Sequence, residues 1–222
     1  MQLSPECARV LGALIEKGLA TPQQYPLTIN ALEAACNQTS NREPVVDYDE
    51  TTVLAALDDL KDQKLVRFVL PSHGRSVVRY RQVLDETLAL DARQCAVLAV
   101  LLLRGPQTVG ELRIRTERMA KFDSLEEIDH ELDLLRTREE ALAHNLGRRP
   151  GQKEERWATT LVAAPDPAQP VADSGPVTSP RDPVTSPRDP ATEELRAELE
   201  ALRAEVADLH RELQDLRNSL GG

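Results

Sequence analysis

One pattern occurs twice in this chain, and that repeat constrains its fold more than any other feature. Val10, Leu11, Leu14 and Gly18 return as Val97, Leu98, Leu101 and Gly105, each 87 positions later. Leu57, Asp58 and Leu60 return as Leu132, Asp133 and Leu135, 75 positions later. The order is kept but the spacing is not, so the first copy carries 12 residues that the second lacks. Duplication of one small unit, with an insertion in the first copy, accounts for both facts. Units of roughly 75–85 residues fold alone, with little margin.

The two copies read alike. In the first, Ser4-Pro5 is a helix cap followed by proline at the first helical position. Val10, Leu11, Leu14 and Ile15 then form an apolar stripe, which Gly18 is expected to end. A second helix starts at Thr28, with Ile29, Leu32 and Cys36 inward. A third runs from about Asp49, with Val53, Leu57 and Leu60 inward. Two β-like runs, 66–70 and 77–81, flank Pro71-Ser72-His73-Gly74, which predicts a hairpin.

In the second copy, Asp91 with Gln94, Thr108 with Glu111 and Ser124 with Glu127 are capping-box patterns heading three helices. A second hairpin is expected from 142–146, across Pro150-Gly151, to 156–161. The predicted class is therefore mainly α with small β-hairpins (α+β), as two tandem winged-helix domains at 1–84 and 88–161.

Beyond them the composition changes. Residues 162–191 are rich in Pro, Ala, Asp, Ser and Thr, and 176–182 recurs identically as 183–189. Such a segment cannot build a core and reads as a disordered linker. From 192 to 220, Leu195, Leu199, Leu202, Val206, Leu209, Leu213, Leu216 and Leu220 alternate at spacings of four and three, the seam of a coiled coil. Glu198, Glu205 and Glu212 would face Arg203, His210 and Arg217 of a parallel second copy, so the sign pattern predicts parallel self-association. A homodimer is the simplest outcome, although Leu199, Leu213 and Leu220 at the core positions leave a trimer open.

Composition limits the function classes. A net charge of −10 argues against general coating of nucleic acid. Cys7, Cys36 and Cys95 have neither paired nor metal-ligand spacing, which points to a reduced, cytoplasmic setting. The first residues lack a signal-peptide core, and the longest apolar run, 95–103, is too short to span a bilayer, so no membrane partner is expected. His73, His130, His144 and His210 are scattered, and neither a nucleophile elbow nor a phosphate loop or metal cluster is visible. The expectation is a protein that is not an enzyme, with no catalytic residues, metal or cofactor.

Two binding readings follow. Lys64, Arg67, Arg75, Arg79 and Arg81 lie in a stretch without acidic residues, and Arg148, Arg149 and Lys153 give the second hairpin a similar bias. Phosphate contacts want such surfaces, which makes double-stranded DNA a candidate partner. The third helices, however, are acidic: Asp49, Glu50, Asp58, Asp59 and Asp62 in one, Glu126, Glu127, Asp129, Glu131 and Asp133 in the other. That suits entry into a major groove poorly. The first reading is a self-associating, regulator-like protein that binds DNA through basic wings. The alternative is a protein-interaction adaptor that uses the acidic helices and the loop 37–45 and makes no DNA contact.

The least generic residues lie in and around the insertion: Thr21-Pro22-Gln23-Gln24-Tyr25-Pro26-Leu27, then Cys36-Asn37-Gln38-Thr39-Ser40-Asn41-Arg42-Glu43-Pro44-Val45. With Gly105-Pro106-Gln107-Thr108 and the segment 149–154, they resemble the YceH-like family of uncharacterised bacterial proteins, over about residues 1–161. The resemblance implies tandem winged-helix domains and brings no established activity. Read physically, Asn37, Asn41, Arg42 and Glu43 form either a rigid loop that satisfies its own backbone groups or a recognition surface.

Overall fold

The computed structural model describes residues 1–70, 77–148 and 154–163, all within one compact unit. Nearly all of the predicted linker (162–191) and the whole predicted coil (192–220) lie outside the described residues.

The first half begins with α1 (Pro5–Ala20), where Ser4 Oγ accepts the Cys7 amide at 3.1 Å and Pro5 takes the first turn. The helix does not stop at Gly18. It continues to Ala20, where the Thr21 amide closes the last turn on the Lys17 carbonyl, and the Tyr25 ring lies in ordinary contact range of Gly18. The 3-10 turn Pro22–Gln24 leads to α2 (Ile29–Cys36), capped by Thr28, and the insertion separates α2 from α3 (Glu50–Asp62), capped by Asp49. The strands β1 (Val66–Val69) and β2 (Arg79–Gln82) pair antiparallel, slightly displaced from the expected runs. Phe68 stands opposite Tyr80, their rings edge to face at 5.1 Å. A short helix, α4 (Leu84–Leu88), follows; nothing in the apolar periodicity predicts it.

The second half repeats the order with α5 (Ala92–Arg104), α6 (Val109–Thr116), α7 (Leu125–Arg136) and the pair β3 (Ala143–Asn145) and β4 (Trp157–Thr159). Two of the three capping boxes close fully, Asp91 with Gln94 and Thr108 with Glu111. In the third, Ser124 caps Glu127, but the Glu127 carboxylate accepts the Asp123 amide and binds Arg93 instead. Gly105, at φ +71°, ends α5 in a conformation that favours glycine.

One detail ties the halves to a common plan. Leu27, just before Thr28, exchanges both backbone hydrogen bonds with Tyr80 on β2, at 2.7 and 3.1 Å. Gln107, just before Thr108, does the same with Trp157 on β4, at 2.7 and 2.9 Å. In each half the hairpin's second strand therefore gains a pairing partner ahead of the second helix.

The core lies between the halves as much as within them. In α1 every residue from Cys7 to Ile15 is buried, and in α5 every residue from Cys95 to Leu103. A helix apolar on every side needs cover on every side. Here α2 and α3 cover α1, α6 and α7 cover α5, and α1 and α5 cover each other. Gly12 permits the approach, since a Cβ there would lie 2.9 Å from Leu103 Cγ and 3.1 Å from Leu102 Cβ. The matching position in the second copy is Ala99, fully buried. Burial also pushes the Cys36 and Cys95 thiols up to about 12, so they remain protonated core residues.

Replacing Gly12 by Leu forces side-chain volume into this seam. Overpacking of this kind costs typically about 1–3 kcal/mol. The expected outcome is a lower midpoint in urea unfolding, with Gly12→Ala intermediate because its gain in helix propensity offsets part of the clash.

Candidate functional site

The predicted wing residues divide by local pairing. Glu86, on α4, takes Arg67 at 3.1 Å and Arg81 at 2.8 Å, so two hairpin cations carry an ion pair from within the chain. Arg79 donates to the Pro26 carbonyl at 2.9 Å, and Lys64 sits at φ +61° in the turn before β1 with its carbonyl accepting from Thr87. Arg67 and Lys64 remain exposed. On the second hairpin Arg148 lies 3.8 Å from Glu155. Arg75, Arg149 and Lys153 lie outside the described residues, as do the predicted oligomerisation leucines.

The insertion loop engages the chain's own groups. Asn37 donates through Nδ2 to the Tyr48 carbonyl at 2.7 Å and accepts the Tyr48 amide at 2.8 Å, completing the backbone where no strand partner exists. The Arg42 side chain is fully buried. Its Nε donates to the Ala35 carbonyl at 3.0 Å, Nη1 to the Asn41 carbonyl at 2.9 Å, and Nη2 to Gln38 Oε1 at 3.0 Å and to the Glu16 carboxylate. Arg9, also buried, donates to the Cys36 and Pro44 carbonyls. Burial, then the like charge of Arg42, lowers the pKa of Arg9. Together the two arginines satisfy carbonyls at the end of α2, which a helix terminus leaves without partners.

The same loop reaches the second half. The Glu43 amide donates to the Leu103 carbonyl at 2.8 Å, and Arg104 donates to Asn41 Oδ1. Asn41 holds φ +61°, a conformation asparagine tolerates better than most residues, and this aims its amide at α5.

Beside this clasp lies a cleft of about 480 Å³ that the sequence alone does not reveal. Its walls come from the end of α1, the insertion loop, α5 and α6. Lys17, Arg104, Arg115 and Arg118 supply its cations, and Glu16 is the only carboxylate among its lining residues. Arg115 pairs with Glu111 at 3.5 Å, and Glu111 also takes Arg156 at 3.2 Å. Burial lowers the Arg104 guanidinium pKa, and the neighbouring Arg115 adds to the shift. The signal is present in the sequence as Arg115 and Arg118, in and just past α6. It could not be separated from an ordinary solvated helix face, because Lys17 and Arg104 join it only through the packing of α1 on α5.

A helical chain with two small antiparallel strand pairs is a mixed α+β protein, and its particular membership follows from comparison. The chain belongs to the DUF480 family of proteins of unknown function, which matches residues 3–152. A UPF0502 protein of Koribacter versatilis is 49% identical over 175 residues, 78% of this chain and 81% of that one. A UPF0502 protein of Geotalea daltonii is 52% identical over 160 residues, 72% of each chain. One from Opitutus terrae is 46% identical over 178 residues, 79% of this chain and 77% of that one. The expected YceH-like resemblance agrees with this family. Among the described residues, no helix is long and apolar enough to cross a membrane.

The buried pair makes a measurable claim. Arg42→Met leaves the Glu16 carboxylate and several carbonyls without a donor, and breaking a buried pair costs about 3–5 kcal/mol. Adding Glu16→Gln should recover only part of this in chemical denaturation, because the Ala35 and Asn41 carbonyls still lack their partners.

Proposed function

We propose that the chain is a cytoplasmic, non-enzymatic protein of two winged-helix units, which self-associates through its C-terminal heptads and contacts duplex DNA through its basic hairpins. The repeated topology carries the reading. In each half, three helices precede an antiparallel hairpin whose second strand also pairs with the residue ahead of the second helix. Lys64, Arg67 and Arg79 are exposed on or beside the first hairpin, where phosphates could reach them.

Charge decides how the contact is made. The exposed residues of α3 include Glu50, Asp58, Asp59 and Asp62, and those of α7 include Glu126, Asp129 and Asp133. Like charge keeps those helices off the phosphate backbone, so the hairpins rather than a groove-inserted helix would hold the duplex. Glu86 competes for Arg67 and Arg81, but exposed ion pairs are worth only about 0–1 kcal/mol each. Counterion release on binding phosphate contributes as much or more at low salt. Individually weak contacts add when a coil tethers two copies.

The second reading is a protein-interaction adaptor without DNA contact. It is favoured by exposed Leu54 and Leu134, which stand among the carboxylates of α3 and α7. The loop 37–45 supports it less, since Asn37 and Arg42 are engaged inside the chain.

Fluorescence anisotropy with a mixed-sequence duplex, titrated in salt, separates the two. DNA binding through the hairpins predicts affinity that falls steeply with salt, weakens in Arg67→Glu/Arg81→Glu, and strengthens in Glu86→Gln. A Leu202→Pro/Leu209→Pro chain, which breaks the heptad helix, should lose avidity and sediment as a smaller species. Absence of binding at low salt would leave the adaptor.

A further inference from the structure

We propose that the cleft between the two halves binds a small organic phosphate of mononucleotide size. Four cations converge on it, Lys17 and Arg104 from the first helices of the two halves, Arg115 within α6, and Arg118 just beyond that helix. Among the described residues, the Lys17 and Arg118 side chains carry no hydrogen bond or ion pair. The carboxylates nearby are already engaged. Glu16 is bound to buried Arg42, Glu111 is shared by Arg115 and Arg156, and Glu43 acts on Arg104 from the loop. Burial and the charge of Arg115 both disfavour the Arg104 cation, and an incoming anion would relieve that cost.

The resting state has its own counter-charge. The C-terminal turns of α1, α5 and α6 all end near the cleft, and their partial negative charges help hold the cations there. Each such helix end carries only about half an elementary charge, and its effect fades within one turn. A phosphate group with up to two full charges competes well against it. Guanidinium forks match phosphate oxygens in pairs, and three of the four cations are arginines.

The remaining walls select an organic ligand rather than a bare ion. Ile114 is 74% exposed and lines the cleft with Met119, Val100 and Leu103, which gives the cationic site an apolar wall. A volume of about 480 Å³ exceeds what inorganic phosphate needs. It lies within the range of roughly 300–1,000 Å³ typical of small-molecule sites. Such a ligand would touch both halves at once, across the seam that α1 and α5 form.

Isothermal titration calorimetry on the full-length protein at low salt tests this, with ADP as the probe and pyrophosphate, citrate and adenosine for comparison. ADP should bind saturably, pyrophosphate more weakly, and citrate and adenosine at least ten-fold more weakly than ADP. The Lys17→Gln/Arg118→Gln variant removes two side chains that make no hydrogen bond or ion pair, so its unfolding midpoint should fall only slightly while its ADP affinity falls at least ten-fold. Absence of saturable ADP binding, equal binding by the variant, or citrate binding as well as ADP would each overturn the proposal. Loss of duplex affinity in the variant, with no ADP binding by the parent, would assign these cations to DNA and overturn it too. The site stands apart from the hairpin reading, since ADP binding could hold in a protein that never touches DNA.

Discussion

The packing of α1 on α5 governs this fold. Each helix is buried along nine consecutive residues, Cys7–Ile15 and Cys95–Leu103, so neither could stand in a half that folded alone without exposing apolar surface to water. Leu11, Leu14 and Ile15 on one side and Leu98 and Leu101 on the other are almost wholly excluded from solvent. Gly12 brings the helix axes close enough for the seam to close against Leu102 and Leu103. What the sequence presents as a duplicated unit is, in space, two sets of helices built outward from one central pair.

The insertion of the first copy acts on that seam. Arg9 and Arg42 bind the carbonyls at the end of α2, Asn37 mimics a strand partner for Tyr48, and Asn41 and Glu43 carry the loop to the end of α5. Buried guanidinium groups are expensive unless their donors are used, and here several carbonyls and one carboxylate use them. The cationic cleft is a consequence of this geometry. Its walls exist only because the loop bridges to α5 and the first helices lie side by side.

Much of the fold was legible in the chain because its signals are local. Ser4, Thr28, Asp49, Asp91, Thr108 and Ser124 all cap the helices they were expected to cap, since a hydroxyl or carboxylate ahead of an apolar stripe depends only on its neighbours. The misses depend on distant residues. Gly18 looks like a stop signal, yet the helix runs on to Ala20 with the Tyr25 ring beside that glycine, and Glu127 leaves its capping box because Arg93, 34 positions away, offers a charged partner. The site was less legible for the same reason. Acid-free stretches marked the hairpin arginines, but Glu86 on the unforeseen α4 reaches two of them, and Lys17 meets Arg104 only through the packed seam.

The aromatic residues supply a direct test of that seam. Tyr25, Tyr48 and Tyr80 all lie in the first half, and Trp157, the only tryptophan, lies in the second. Equilibrium unfolding in urea can therefore be followed separately, by second-derivative tyrosine absorbance and by tryptophan fluorescence. If α1 and α5 form one core, the two probes report a single transition with coincident midpoints, as a cooperative unit requires. Separate midpoints, with either half retaining its structure after the other has unfolded, would contradict the account.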